Sequence, residues 1–466
     1  MFIYSHEFCY FWDTIQQVSK EANWFYQTNF SSLLIHPLPG LEVTPTGYHP
    51  PLIPLTTAFL WKIFGYELWV SHAFTFLWSL LLLYHSWKMV AYFIPYPQWT
   101  GWVFGILLLE PTILTQLVMA SPDMVLLTAS IIGLRAVFQR KPVWLAISLI
   151  FLCGTNMRGV FTGVMLFFSH LYFDVKVTNK EQGYNLKKLL KLLLPYLPVC
   201  VLLLAYFLYY FSHNAWFFSE EGASNYSEHY SLPENGMMIV RHFAELVFRF
   251  VENGRFVVSF LALYVLIGIL KRKWNLSEEE KTLGLFFLLM IGLFLFFVFI
   301  TRMPFNPRYF MLHFFILSLL TLRLLINQWN NRKMKTICWV ILLFTLTGHF
   351  WIYPEKISQP WESTLLHTSY YTVRKECFEY IDSNQIEYSE LAANWCLYGN
   401  RGFVELKNGG KIVGTSAEHA KYFLYSNIAV SDEEVEEFKN KDLWIPVKHF
   451  EKTPVFITLY KRNENP

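Results

Sequence analysis

"LGLFFLLMIGLFLFFVFI" (283–300) runs for eighteen residues without a charge or a proline. A helix needs about 20 such residues to cross roughly 30 Å of hydrocarbon, and inside that layer the backbone must satisfy its own hydrogen bonds. The stretch is therefore read as a membrane-spanning helix. "LLLPYLPVCVLLLAYFLYYF" (192–211) reads the same way, and working outward gives ten spans near 68–90, 98–118, 123–139, 142–156, 158–175, 189–211, 255–270, 281–301, 309–327 and 334–353. The 466 residues are 54% hydrophobic and only 16% charged, with the apolar residues gathered into runs. The expected fold class is an all-α polytopic membrane protein of about ten spans plus interfacial helices, with its membrane domain over 68–353.

Basic residues set the orientation. "QRKP" (139–142), "KVTNKEQGYNLKKLLK" (176–191), "KRK" (271–273) and "NNRKMK" (330–335) fall on alternate connections, which the positive-inside bias makes cytoplasmic. The "SPD" turn (121–123), the turn at Arg158, the loop 212–254, the loop "RMPFNPR" (302–308) and both chain ends then lie outside. That holds only if "TGYHPPLIPLTTAFLWKIFG" (46–65) does not cross. Its apolar part, 51–65, is too short to span and is expected to lie in the outer interface, with its prolines at the helix start and Trp61 as an anchor. Residues 1–67 form the first extracytoplasmic loop, and the helix that would carry them across is expected to be missing upstream.

After Tyr353 the chain becomes charged and mixed. Strand-like "NGGKIVG" and "PVFITLY" and helix-like "TVRKECFEYIDS" and "DEEVEEFKN" predict a small α+β extracytoplasmic domain over 354–466. The six cysteines show no metal spacing; Cys377 and Cys396 either pair or remain buried thiols. A net charge of +3 gives no sign of nucleic-acid binding.

Polar residues on the outer side are few. Asp13 opens a helix on which Ile15, Val18, Ala22 and Phe25 recur at helical spacing, so it reads as an N-cap of an amphipathic surface helix or as a catalytic carboxylate. His49 is a turn residue or, when protonated, an anion contact; Tyr48 is an interface anchor or a substrate contact. Asp123 caps a span or bonds sugar hydroxyls. Arg158, between two short apolar stretches, either snorkels to the interface or meets a ligand or acidic partner. Arg302 and Arg308 stand where the positive-inside bias disfavours them, and a guanidinium fork suits phosphate. Glu110, near the middle of an expected span, needs a partner.

The order of these pieces resembles the lipid-phosphate-sugar glycosyltransferases of the C-type (GT-C) fold, above all the protein O-mannosyltransferases and bacterial aminoarabinose transferases. The pieces are an acid opening an outer helix (Asp13), an HPPL element before a short helix ending in "FG", a PD turn, an RG turn and an RY loop before a late span. The resemblance implies that Asp13 is the catalytic carboxylate, although Thr14 stands where that family has a second acid. It implies an inverting transfer from a polyprenyl-phosphate sugar to a lipid, glycan or protein acceptor at the outer face of the cell (inner) membrane. Asp13 would be the general base, His49, Arg158, Arg302 and Arg308 the donor-phosphate contacts, and Tyr48 and Asp123 the sugar or acceptor contacts. No cofactor is required by it, and a divalent metal is admitted. The alternatives are a transporter or flippase for a lipid-linked or anionic substrate, which predicts two related halves, and a structural membrane subunit.

Overall fold

The computed structural model describes residues 2–11, 14–35, 49–178, 186–214, 231–302, 305–353, 362–407, 409–418, 420–428 and 443–463. Among these, five helices are long and apolar enough to cross a membrane: Leu68–Phe93, Met157–Val177, Leu186–His213, Glu278–Ile300 and Pro307–Gln328. Pro122–Phe138, Pro142–Thr155, Phe256–Leu270 and Asn331–Gly348 are shorter or carry more charge, and each falls on an expected span. The helices share one apolar core that runs from Leu82 through Leu134, Phe286 and Leu319 to Ile341.

One expected span is broken. Pro97–Leu108 stops short, the Glu110 carboxylate accepts the Ile113 amide at 2.8 Å, and Pro111 starts a second, short helix to Gln116. An N-cap acid followed by proline at the first helical position is a start signal, here hidden inside an apolar run. Glu110 does find an arginine. Arg255 Nε donates to it at 2.7 Å and Arg255 Nη1 donates to Glu252 at 3.2 Å, while Arg249 Nη1 donates to Glu252 at 2.9 Å. Arg255 also donates to Thr112 Oγ1 and lies 4.0 Å over the Phe314 ring. Part of the expected 212–254 loop is helical, since Asn235 caps a helix over Gly236–Arg249.

The amino-terminal helix is a π-helical turn, Ile15–Ser19, continued by Lys20–Gln27. Ile15, Val18, Ala22 and Phe25 are buried as their spacing predicts, but the polar residues Ser19, Glu21 and Asn23 are buried too. The helix is thus enclosed, not spread on a surface. The cover comes from far along the chain: Ser19 Oγ donates to the Phe403 carbonyl at 2.5 Å and Tyr10 N–H to the Val404 carbonyl at 2.9 Å. The element after the His-Pro-Pro cluster is the helix Leu52–Phe64, closed by Gly65 at φ +101°, a conformation that favours glycine. Trp61 is not an interfacial anchor. It is buried, with Nε1 donating to Ser71 Oγ at 3.2 Å, and the exposed apolar side chains are Phe59, Ile63 and Phe64.

The carboxy-terminal segment carries a four-stranded sheet ordered Leu391–Ala393, Tyr422–Ser426, Val455–Arg462, Trp444–Lys452, with the first pair parallel and the others antiparallel. The expected helix is Ser369–Ser383, and its Phe378 and Ile381 join Leu424, Ile457 and Leu459 in a core that also takes in Phe11, Val118 and Met119. Cys377 and Cys396 are buried free thiols. "DEEVEEFKN" (432–440) lies outside the described residues.

Candidate functional site

Three of the expected residues meet where helix ends and one turn converge. Asp123 sits in the first turn of Pro122–Phe138, its amide received by Ser121 Oγ at 3.2 Å. Arg158 sits in the first turn of Met157–Phe173, after the Asn156 cap that receives the Gly159 amide at 3.1 Å. Arg308 sits in the 3-10 turn Pro307–Phe310, its amide received by Asn306 Oδ1 at 3.2 Å. Arg158 Nη2 lies 2.6 Å from Asp123 Oδ1 and Arg308 Nε 3.4 Å from Asp123 Oδ2.

The neighbours Gly159 and Tyr309 have physical roles. Gly159 is required because a Cβ there would stand 1.7 Å from the Leu152 carbonyl oxygen, so only glycine lets this helix start close against its predecessor. Tyr309 lies under both cations, with Arg158 4.1 Å and Arg308 5.5 Å from its ring centre.

A fourth charge was not read from the sequence. Glu362 Oε2 lies 3.0 Å from Arg308 Nη1, and its side chain is 0% exposed. Its backbone is held in the left-handed region at φ +55°, with its carbonyl accepting Gln116 Nε2–H at 2.8 Å. Burial pushes the Glu362 carboxyl up to about 7; Arg308 and Arg158 pull it down less strongly, and Asp123 adds to the rise. The sequence offered no signal for this residue beyond one acid in a charged tail. Only the docking of that tail on the helix Pro111–Gln116 brings it here.

His49 reaches the same region. Its Nδ1 accepts the Met157 amide at 3.4 Å and its carbonyl accepts the Tyr206 hydroxyl at 3.1 Å. Burial, and then the Arg158 charge, push its imidazole down to about 4, so the ring is neutral near neutral pH. The protonated form expected of His49 is disfavoured first by its burial and then by the neighbouring Arg158 charge. Arg302 does not join the group. Its Nη1 lies 2.8 Å from Glu234 and its Nε donates to the Leu232 carbonyl at 3.0 Å, and it is not among the residues lining the cleft described next. Asp13 and Tyr48 lie outside the described residues. Among the described residues no group of three His, Cys, Asp or Glu side chains could hold a metal ion.

Asp123, Arg158, Arg308 and Tyr309 form the polar end of a cleft that is partly open to its surroundings. Its walls are apolar, from Leu126, Phe161, Met290, Leu293, Phe294 and Phe297. Met157–Val177 and Glu278–Ile300, which supply much of this wall, are two of the candidate spans. Cations at one end and hydrocarbon along the rest can hold an anionic headgroup with an apolar chain attached.

Two solved structures of ArnT from Cupriavidus metallidurans are similar to the chain over 98% of its length, with TM-scores of 0.51 and 0.54. The chain has the ArnT fold. The match covers 94% and 95% of the two ArnT chains at 11% identity, so the likeness is one of fold. One of these ArnT structures was determined with undecaprenyl phosphate bound, the other in the apo state. No family model matches the sequence, and no curated protein does. The ArnT fold agrees with the C-type fold expected from the order of the sequence motifs.

Proposed function

We propose that the chain is a multi-pass membrane glycosyltransferase that moves a sugar from a polyprenyl-phosphate donor to an extracytoplasmic acceptor hydroxyl or amine, with inversion. The observation that carries this reading is the cleft: two guanidinium groups, Arg158 and Arg308, at the end of an apolar channel between candidate spans. In it the prenyl chain lies along Phe161, Phe294 and Phe297, and the phosphate faces Arg158, the more exposed of the two cations. The similarity of fold to a protein crystallised with undecaprenyl phosphate supports the choice of ligand.

The chemistry needs charge stabilisation on the departing side and a base on the other. As the bond from the anomeric carbon to the phosphate oxygen breaks, negative charge grows on the phosphate, and preorganised guanidinium donors stabilise it. Asp13 takes the proton of the acceptor as it attacks the opposite face. Its support comes from the motif order and from its chain neighbour Phe11, whose ring lies edge-on 4.6 Å from His367 in the segment that carries Glu362. Neutral His49 holds the Arg158 turn through the Met157 amide, while Asp123 orients both arginines.

In this reading the bundle 68–353 lies in the cell membrane, with 1–67 and 354–466 outside it. The support is the alternation of basic connections: the helices that begin at Asp123, Arg158 and Arg308 all run toward Lys- or Arg-bearing connections at their other ends. The test is transfer from a labelled polyprenyl-phosphate sugar by the purified chain and by Asp13→Asn. Transfer lost in the variant, with the lipid still bound, is the expected result. Undiminished transfer by Asp13→Asn refutes the base, and lipid crossing a vesicle bilayer without sugar transfer refutes the enzyme in favour of a flippase.

A further inference from the structure

Arg308 is held by two carboxylates before any ligand arrives. Asp123 faces its Nε and Glu362 faces its Nη1, and both acids are almost fully buried. Asp123 belongs to the helix that lines the cleft; Glu362 comes from the tail and is clamped there. Its carbonyl accepts Gln116 Nε2–H at 2.8 Å and the next carbonyl, of Ser363, accepts Thr112 Oγ1–H at 3.3 Å. With its backbone at φ +55°, a conformation costly for a residue with a Cβ, Glu362 is positioned by its surroundings and has little freedom to swing away.

The charges therefore have to be counted with the ligand in place. Among the described residues of the cluster, Arg158 and Arg308 stand against Asp123 and Glu362 before a ligand binds. The other titratable groups facing this cluster among the described residues are His367, on the same segment and near Arg308, and Tyr371, on the helix Ser369–Ser383, besides His49 and Tyr309, which lie against the arginines. His367 is driven toward its neutral form, down to about 3, by burial and Arg308, and burial raises Tyr371 well above its ordinary value. A phosphate on the guanidinium groups adds at least one negative charge to a site whose cations, among the described residues, are Arg158 and Arg308. Buried like charges this close cannot all remain ionised, and the group that gives way is the one easiest to neutralise.

We propose that Glu362 is the resident anion of the donor site. In the empty protein its carboxylate holds Arg308; when a lipid-borne phosphate takes that guanidinium, the carboxylate accepts one proton from solvent and stays as the neutral acid. Donor binding is then coupled to proton uptake, and the tail sets the pH range in which the site accepts its lipid. This rests on the cleft being the donor site proposed above. A carboxyl that burial already pushes up to about 7 needs only a small further rise to hold its proton at neutral pH.

The experiment measures binding of farnesyl phosphate, a short prenyl phosphate without sugar, to the full-length chain in detergent by calorimetry in buffers of differing ionisation heat. The wild type is expected to bind about tenfold more weakly near pH 8 than near pH 6, beyond the ligand's own titration, and to take up as much as one proton. Glu362→Gln reports that ligand titration alone and, once that titration is subtracted, is expected to bind at pH 8 as tightly as the wild type does at pH 6. Identical pH profiles in the two proteins overturn the role of Glu362 while leaving the donor site standing. Binding by neither protein at any pH overturns the donor site and, with it, this role. Should Glu362→Gln fail to fold, the wild type decides alone: uptake no greater than the free ligand's own titration supplies overturns the proposal.

Discussion

Replacing Gly159 by alanine is the sharpest test of how the site is built. The added Cβ would stand 1.7 Å from the Leu152 carbonyl oxygen, 2.6 Å from its carbon and 3.0 Å from Leu126 Cδ2. A carbon approaches a carbonyl oxygen to about 3.3 Å, so the start of this helix must move by roughly 1.6 Å. Backbone cannot yield as a flexible side chain does, which puts the strain near the upper end of the ~1–3 kcal/mol that overpacking costs. Alanine recovers about 0.5–1 kcal/mol of that as a better helix former. The net loss is then about 2 kcal/mol. The same shift carries Arg158 away from its 2.6 Å contact with Asp123, so affinity for a prenyl phosphate falls together with stability. Gly101→Ala is the control, since a Cβ there meets nothing within 4 Å. Thermal unfolding in detergent is expected to place Gly159→Ala well below the wild type and Gly101→Ala at or above it. If both variants melt together with the wild type, the close approach of the two helices is not what holds Arg158 in position.

Arg308→Met is expected to weaken prenyl-phosphate binding by tenfold or more, as loss of one partner of a buried charge pair costs roughly 2–5 kcal/mol; affinity within twofold of the wild type excludes Arg308 from the phosphate contacts. Glu362 predicts a pH slope in stability. Its carboxyl is raised from 4.5 to about 7, so between those values the folded chain binds more protons than the unfolded one, and stability falls as pH rises across that window. Unfolding midpoints measured from about pH 5 to 7.5 are expected to lose part of this slope in Glu362→Gln, and an unchanged slope refutes the assignment. Arg255→Met leaves Glu110 and Glu252 buried with one cation between them and should cost roughly 3–5 kcal/mol. Arg255→Lys should fail to rescue it, since a single ammonium cannot reach Glu110, Glu252 and Thr112 together.

The legible parts of this chain were those with local causes. Hydrophobic runs fixed where helices form, because in a bilayer a long apolar segment has no other way to satisfy its backbone. Motif order pointed to the C-type fold. Asp123, Arg158 and Arg308 stood out because a charge at the end of an apolar run is costly unless partnered. The break at Glu110 was missed although its signal, an acid followed by proline, was present; the apolar residues on both sides outweighed it.

What the sequence by itself determined was the set of helices and the charges at their ends, since both follow from residues close together in the chain. The tertiary structure alone decided which charges meet. It sent Arg302 to Glu234, kept His49 neutral beside Arg158, and placed a tail glutamate against an arginine that precedes it by 54 residues. Such pairings depend on how distant segments pack and on how completely they exclude water, and neither is written in the spacing of any one segment.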